Sequence, residues 1–248
     1  MKRWSVWLLI CSIWVVAGEV RVATAANMGY ALPRIIDAFR VHYPDVRIEV
    51  AVGGSGKLRT QIEHGAPYDL FLSANTAYPE ALYAKGLGAK APVVYARGEL
   101  VLFSREGWDL SEGLGLLAQS RVKKIAMANP ETAPYGKAAK EALNHAGLYE
   151  KVASKIVYGE SISQTVIYTM RMVDVGIIAR SALYAGKLSP YLKKGSWRAV
   201  APELYHPIAQ GMILLKQAER NPDARRFYEF LQGEEAGKIL TAYGYRLP

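Results

Sequence analysis

Short apolar runs alternate with stretches of helical periodicity along most of the chain. Between residues 30 and 43, apolar side chains recur every three or four positions, which indicates one buried face of a helix. The segment 46–52 instead alternates apolar and other side chains, as a half-buried strand does. Patterns of these kinds predict strands at 20–23, 46–52, 69–72, 100–103, 124–128, 156–158, 175–178 and 208–215. They predict helices at 30–43, 55–62, 78–85, 135–146, 163–172, 224–231 and 235–243.

The order of these elements predicts an α/β fold with largely parallel sheets, because strands and helices follow one another in turn. Short proline-containing segments near 92–96 and 202–207 interrupt this order, and we expect them to cross between two lobes. The predicted organisation is a leader at 1–17, a discontinuous lobe I at 18–95 and 207–248, and lobe II at 96–206. Two lobes joined by two crossings form a cleft that a ligand closes by contacting both sides.

The first 17 residues have the pattern of a secretory signal peptide. Two basic residues precede an apolar stretch from Trp4 to Val16, which is shorter than the roughly 20 residues needed to cross a bilayer. Small side chains at its end suit a signal peptidase, so the mature chain is predicted to begin near Gly18 or Glu19 and to be periplasmic. A retained membrane anchor is the alternative. The only cysteine, Cys11, lies in this leader, so the mature protein is expected to have no thiol.

The chain is basic, with 31 Lys and Arg against 22 Asp and Glu and a formal net charge of +9. This excess favours anionic ligands or surfaces. The basic residues are scattered or occur in short pairs such as Lys123-Lys124 and Arg225-Arg226, and no aromatic-basic stripe marks a nucleic-acid groove. We therefore expect an anionic small molecule as the ligand and no nucleic acid.

The sequence lacks the residue motifs that form the active sites of common enzyme classes. The four histidines are far apart and show none of the paired spacings of a zinc site. The segment Gly53–Leu58 lacks the Ser or Thr that follows Gly-Lys in a nucleotide-binding loop, and Lys57 stands where a serine-hydrolase elbow needs glycine. These absences predict a binding protein that is not an enzyme and needs no cofactor. A periplasmic enzyme or a sensor domain without transport is the alternative from another class.

Two turns of small residues, Ala25–Gly29 and Gly53–Gly56, follow predicted strands about one strand–helix–strand unit apart. The N–H groups at a helix start lack intrahelical partners and carry partial positive charge, so two helix starts aimed at one cleft bind an anion. Asn27 and Ser55 add an amide and a hydroxyl at these turns. Each could instead be an N-cap of its helix, since Asn and Ser are favoured there.

Several short motifs are spread along the chain. They are Ala25-Ala26-Asn27, Gly54-Ser55-Gly56-Lys57-Leu58 with Gln61-Ile62-Glu63, Gly65-Ala66-Pro67-Tyr68-Asp69-Leu70-Phe71-Leu72-Ser73-Ala74, Asn129-Pro130-Glu131, Pro134-Tyr135-Gly136, Ala139-Lys140-Glu141-Ala142-Leu143, Val175-Gly176-Ile177-Ile178 and Tyr243-Gly244-Tyr245. With these motifs, nearly the whole chain after the leader resembles the molybdate/tungstate-binding proteins that serve ABC importers.

The resemblance implies a type II periplasmic-binding-protein fold, with two hinge-linked mixed sheets flanked by helices. It places ligand contacts at Asn27 and Ser55 in lobe I and at Tyr135 and Ile162 in lobe II. The donors at the last two are backbone N–H groups, which tolerate different side chains. Asn27 replaces a serine of some members, and Ala179 stands where some members supply a tyrosine hydroxyl. From the residues alone, Tyr135 could equally be an aromatic packing residue and Ile162 a core residue.

The resulting hypothesis is a monomeric carrier that buries molybdate or tungstate in the cleft, held by backbone N–H groups, the Ser55 hydroxyl and the Asn27 donors. The closed carrier then docks on an ABC permease in the inner membrane. A lining of donors alone rejects protonated phosphate, whose O–H meets no acceptor. The alternative is another anion, namely sulfate, phosphate or a small organic acid, on the same scaffold. No arginine or carboxylate occurs at the matched positions, which argues against phosphate and organic acids.

Overall fold

The computed structural model describes residues 18–186, 188–192 and 195–248, so the predicted signal peptide at 1–17 lies outside the described residues. Strands and helices alternate along the described chain. The strands are β1 (Glu19–Ala25), β2 (Arg47–Gly53), β3 (Leu70–Leu72), β4 (Val93–Gly98), β5 (Leu100–Phe103), β6 (Ile125–Ala128), β7 (Ile156–Gly159), β8 (Val175–Ala179), β9 (Trp197–Ala199) and β10 (Ile208–Leu214). The helices are α1 (Leu32–His42), α2 (Ser55–Glu63), α3 (Ala77–Ala84), α4 (Pro134–His145), α5 (Tyr149–Val152), α6 (Ile162–Arg171), α7 (Pro222–Phe230) and α8 (Glu234–Ala242).

These strands form two five-stranded sheets. The first sheet has the order β2-β1-β3-β10-β4, with β1 parallel to β2 and β3 and with β10 antiparallel to β3 and β4. The second has the order β7-β6-β8-β5-β9, with β6 parallel to β7 and β8 and with β5 antiparallel to β8 and β9. The predicted α/β fold with two mixed sheets flanked by helices is therefore confirmed.

Each sheet has its own hydrophobic core. Beside the first sheet, α1 buries Ile35 and Phe39, and the Phe39 ring meets the ring of Phe227 from α7 edge-on at 5.0 Å. Beside the second sheet, α4 buries Ala139 and Leu143. Full burial of a large apolar side chain contributes roughly 1.5–3 kcal/mol. Because the helices pack on the sheets in this way, each sheet fixes the position of the helix starts that face the other sheet.

The chain passes from the first sheet to the second at Glu99. The sequence predicts a crossing at 92–96, but these residues lead into β4, which pairs with β10 from Val93 to Gly98. Since β5 begins at Leu100, one residue separates strands of the two sheets. The change of sheet thus lies three residues beyond the predicted segment, because the partner strand β10 is distant in sequence. No local pattern reveals that pairing.

Element ends differ slightly from the predictions. The helix predicted from residue 30 begins at Leu32, after a 3₁₀ turn at Ala26–Tyr30, because Pro33 is favoured in a first helical turn. The short strand β9 was not predicted. Gly65, with a φ of 85°, follows the end of α2 as expected for a helix stop. Within the described residues, no helix has the length and apolar character required to span a membrane.

Candidate functional site

A small cavity lies between the two sheets, next to the carboxyl ends of the parallel strands β1, β2 and β7. The centre of a water-sized sphere can occupy about 10 Å³ of it, which leaves space for a compact group only. The first-sheet side of the lining consists of Ala25, Ala26, Asn27, Gly53, Gly54, Ser55 and Ala74. The second-sheet side consists of Ala133, Pro134, Tyr135 and Ile162. None of these lining side chains is charged.

The structure brings all four predicted contact residues, Asn27, Ser55, Tyr135 and Ile162, to this one cavity. They lie in the first turns of four helical segments, namely the 3₁₀ turn, α2, α4 and α6. The first N–H groups of a helix have no intrahelical acceptor, so the positive ends of four segments converge here. Their contact with a ligand stays a prediction. Ala179 ends β8 and is not part of the lining.

Two glycines let the start of α2 approach the second-sheet side. The Gly56 N–H donates to the Thr132 carbonyl oxygen at 3.2 Å, and a Cβ on Gly56 would lie 3.0 Å from that oxygen. A Cβ on Gly54 would lie 3.1 Å from the Glu160 carbonyl oxygen. Larger residues would push the two sides apart, because these separations are tighter than usual Cβ contacts. The two sides are therefore in direct contact around the cavity.

Side-chain hydrogen bonds also join the two sides. The Ser163 hydroxyl of α6 donates to the Ala26 carbonyl oxygen at 3.1 Å and accepts from the Tyr30 hydroxyl at 3.2 Å. The Ser181 hydroxyl donates to the Asn27 carbonyl oxygen at 3.2 Å. Burial raises the pKa of Tyr30, which keeps its hydroxyl protonated as a donor. Sequence reasoning missed these serines because only the packed structure brings them to the opposite side.

Ser55 presents a hydroxyl whose hydrogen is available for a ligand. Its side chain is buried, and its Oγ accepts the Ala74 N–H at 3.0 Å. A hydroxyl that accepts one hydrogen bond still has its own hydrogen to donate. The interpretation of Ser55 as an N-cap is wrong, since Gly54 occupies the N-cap position and Ser55 is the first residue of α2.

The Asn27 side chain is fully buried, and its donors already have protein acceptors. Its Nδ2 donates to Gln210 Oε1 and to the Tyr245 hydroxyl, each at 2.8 Å. Its Oδ1 has no hydrogen-bond partner among the described residues. The N-cap of the 3₁₀ turn is Ala25, so Asn27 is not a cap. The contact of the Asn27 side-chain donors with a ligand therefore stays a prediction, and the backbone N–H of Asn27 is its other donor at the cavity.

The second-sheet side offers backbone donors, because its side chains are part of the protein core. The Tyr135 ring is buried, and its hydroxyl accepts from Gln210 Nε2 at 3.1 Å. Burial raises the pKa of Tyr135 well above its ordinary value, so the hydroxyl stays neutral. Ile162 packs in the core of the second sheet, and Ser161 caps α6 by accepting the Gln164 N–H at 3.3 Å. Both side chains thus have the packing roles that the residues alone allowed.

Sequence reasoning also missed three residues behind the Asn27 turn. Gln210 of β10, Tyr95 of β4 and Tyr245 are buried and hydrogen bond to Asn27 or to one another. Burial raises the pKa of both tyrosines, which therefore stay protonated. Of the three, only Tyr245 belongs to a motif recognised in the sequence, the C-terminal Tyr243-Gly244-Tyr245. No local pattern marks the other two.

The chemistry of the cavity is that of neutral hydrogen-bond donors. Across the described ranges, no cluster of three or more His, Cys, Asp or Glu could hold a metal ion. The lining combines N–H groups with one serine hydroxyl and contains no base beside that serine. This arrangement suits the oxygens of a compact anion.

Comparisons with known proteins match nearly the whole of the described chain. The family model described as bacterial extracellular solute-binding protein matches residues 20–246. The chain is 35% identical over 243 residues to the molybdate-binding protein ModA of Azotobacter vinelandii, which covers 97% of this chain and 94% of that protein. It is also 35% identical to ModA of Rhodobacter capsulatus, over 92% of this chain and 88% of that protein.

A solved structure agrees with these matches. The periplasmic molybdate-binding protein of Azotobacter vinelandii has a TM-score of 0.85 to this structure at 31% identity, over 92% of this chain and 99% of that one. The family binds solutes and does not catalyse reactions, so the prediction of a binding protein instead of an enzyme is confirmed. The chain belongs to the bacterial extracellular solute-binding protein family.

Proposed function

We propose that this protein captures a tetrahedral oxyanion, molybdate or tungstate, in the cavity between its two sheets and delivers it to an ABC permease. The observation that carries the proposal is the lining, in which helix starts from both sides meet at one small cavity without a charged side chain. The names of the relatives from Azotobacter vinelandii and Rhodobacter capsulatus support molybdate as the ligand. The positive net charge supports an anion.

The ligand is held by the N–H groups of Asn27, Ser55, Tyr135 and Ile162 and by the Ser55 hydroxyl. These donors are fixed by their helices before the ligand arrives, so binding orders few additional groups. The positive ends of the helices stabilise a dianion at this position. A hydrogen bond to a charged acceptor contributes roughly 1.5–3 kcal/mol.

Selectivity among anions follows from the donors and from the size of the cavity. Hydrogen phosphate carries an O–H group that needs an acceptor, and burying it without one is unfavourable. Sulfate carries the same charge as molybdate, so the fit of its oxygens to the donors decides between them. A small organic acid is disfavoured because the cavity is small and has no arginine. Sulfate is therefore the main alternative ligand.

Delivery requires the direct contacts between the two sides to open and close. We assign this movement to the two predicted lobes, 18–95 with 207–248 and 96–206, whose limits stay a prediction. The predicted signal peptide at 1–17 and the extracellular family support a periplasmic carrier, and the family resemblance implies a monomer. Its partner is a permease in the inner membrane, which receives the anion from the closed form.

Calorimetric titration of residues 18–248 with molybdate, tungstate, sulfate and phosphate at neutral pH tests the proposal. One-to-one binding of molybdate or tungstate, with no signal from sulfate and phosphate, is the expected result. Binding of sulfate or phosphate instead would overturn the assigned ligand and keep the carrier role. Absence of binding by all four anions would overturn the proposed function.

A further inference from the structure

Behind the cavity, a buried set of side-chain hydrogen bonds links the two sides through Gln210. Gln210 Oε1 accepts from Asn27 Nδ2 at 2.8 Å and from the Tyr95 hydroxyl at 3.1 Å, while Gln210 Nε2 donates to the Tyr135 hydroxyl at 3.1 Å. Gln210 is 0% exposed and does not line the cavity. It therefore contacts a lining residue of each side without reaching the ligand space.

The backbone makes room for this link at the end of β4. A Cβ on Gly98 would overlap the Tyr135 hydroxyl and would lie 2.7 Å from Gln210 Nε2. Burial raises the pKa of Tyr95 and of Tyr135 well above the ordinary value, so both hydroxyls keep their hydrogens. A buried polar group is costly unless it is hydrogen bonded, so the direction of each bond in this set matters.

With the hydrogen bonds directed as they are in this structure, Asn27 Oδ1 is buried and has no partner in the described part of the chain. A carbonyl oxygen only accepts hydrogen bonds, and a fully ionised oxyanion has no hydrogen to give it. A 180° rotation of a side-chain amide exchanges its oxygen and nitrogen at nearly the same positions. The heavy atoms of Asn27 and Gln210 are thus compatible with the opposite set of directions.

Rotation of both amides reverses the bonds and gives Asn27 Oδ1 hydrogen-bond donors, while the Tyr95 hydrogen loses Gln210 Oε1 as its acceptor. Gln210 Nε2 then donates to Asn27 Oδ1 and to the Tyr95 oxygen, and Gln210 Oε1 accepts the Tyr135 hydrogen. The Tyr245 hydroxyl then turns its hydrogen from the Asn27 backbone carbonyl oxygen to Asn27 Oδ1, and that backbone oxygen keeps the hydrogen bond from the Ser181 hydroxyl. Asn27 Nδ2 becomes the group without a protein partner, and it offers two hydrogens from a residue that lines the cavity.

We propose that Gln210 is a positioning residue for the ligand site, which holds the amide of Asn27 with its donors toward a bound oxyanion and relays that direction to Tyr135. The amides of Asn27 and Gln210 reverse together when the anion binds. This inference rests on the proposed function, because only an anion in the cavity requires the donors. Gln210 itself does not touch the ligand.

Replacement of Gln210 separates positioning from ligand contact. Gln210→Met keeps the length of the side chain and removes both hydrogen-bonding groups. Its matched control is Gln217→Met, since Gln217 Nε2 also donates, to the carbonyl oxygens of Ala66 and Tyr68, at a surface outside the cavity. The Kd for molybdate is expected to rise roughly tenfold to a hundredfold in Gln210→Met. It is expected to stay within about twofold in Gln217→Met.

A second variant keeps the test decisive if Gln210→Met does not fold. Tyr95→Phe removes one hydroxyl that bonds to Gln210 and lies outside the cavity lining. Thermal unfolding without ligand establishes that each variant is folded. Tyr95→Phe is expected to raise the Kd roughly threefold to tenfold. A Kd equal to that of the wild type in the folded members of this pair would overturn the inference.

The side-chain amide signals of Asn27 and Gln210 in a ¹⁵N–¹H spectrum report the reversal directly. Asn27→Ser and Gln210→Met assign these signals by their loss. Both pairs of signals are expected to shift when molybdate is added to the wild type, because both amides change their acceptors. A stationary Gln210 signal in a protein that binds molybdate would overturn the inference alone. A wild type that binds none of the four anions would overturn the proposed function first.

Discussion

The two sides of the cavity offer hydrogen-bond donors by different means. On the first-sheet side, Asn27 and Ser55 bring an amide and a hydroxyl in addition to their N–H groups. On the second-sheet side, Tyr135 and Ile162 bury their side chains in the core and leave the backbone N–H groups at the helix starts. Side-chain chemistry should therefore decide binding on one side and backbone position on the other. This difference can be tested by substitutions that change only one of the two.

The largest effect is expected from a shift of the backbone on the second-sheet side. A Cβ on Gly136 would overlap the Ala128 carbonyl oxygen and would lie 2.7 Å from the carbonyl carbon of Asn129. Gly136→Ala must therefore displace the start of α4 and the Tyr135 N–H. We expect molybdate affinity to fall roughly a hundredfold, with a loss of about 1–3 kcal/mol in stability. Calorimetry and thermal unfolding measure these two quantities.

Gly115→Ala is the matched control for this substitution. Nothing lies within 4 Å of a Cβ built on Gly115, which belongs to the second-sheet side of the chain. Its affinity and melting temperature should remain close to those of the wild type. Undiminished molybdate binding by Gly136→Ala would contradict the role given to the backbone.

The next largest effect is expected from Ser55→Ala on the first-sheet side. The change removes the hydroxyl donor and also the acceptor of the Ala74 N–H. Loss of a buried hydrogen bond to a charged ligand should weaken binding by roughly 1–3 kcal/mol. Titration of Ser55→Ala beside Ser189→Ala, a change at an exposed serine, measures the difference. Equal affinities of the two variants would remove the Ser55 hydroxyl from the site.

The buried tyrosines behind the cavity predict a loss of stability at alkaline pH. Burial holds the pKa of Tyr95, Tyr135 and Tyr245 above the ordinary value of 10.0, whereas the unfolded chain ionises near that value. The unfolded state then binds fewer protons than the folded state. The free energy of unfolding is therefore unaffected below about pH 10 and falls above it, by at most roughly 1.4 kcal/mol per pH unit for each tyrosine.

Urea unfolding between about pH 8 and pH 11 measures this decline. Tyr135→Phe on the second-sheet side and Tyr95→Phe on the first-sheet side should each make the decline shallower. Since each variant removes one of the three ionisations, the two slopes should be similar. A slope unchanged from the wild type would show that the replaced hydroxyl does not stay protonated in the folded protein.

The smallest effect on binding is expected from Ile162→Val. The backbone N–H at the start of α6 is unchanged, so the Kd for molybdate should stay within about twofold of the wild type. Loss of one buried methylene should reduce stability by roughly 0.5–1.5 kcal/mol. Calorimetry and thermal unfolding compare the two quantities in one variant. An affinity change larger than the loss in stability would mean that the Ile162 side chain takes part in binding.

Local patterns predicted most of the fold, and the four residues predicted to contact a ligand line one cavity. Helices with a clear apolar face, such as α1 and α4, were predicted to within a few residues. The strand β4 was taken for a crossing because its pairing partner β10 is contributed by a distant segment. The four lining residues came from turn chemistry and from a family resemblance. Gln210 and Tyr95 had no such signal, since a buried polar residue is recognised only by its partners.

By itself, the sequence determined the alternation of strands and helices, the small-residue turns and the neutral donors at helix starts. These features depend on periodicity, glycine and helix-start preferences within a few residues. Only the tertiary structure decided how Asn27 and Ser55 are used, because their partners Gln210, Tyr245 and Ala74 come from other segments. Hydrogen-bond direction and burial arise when those segments pack together.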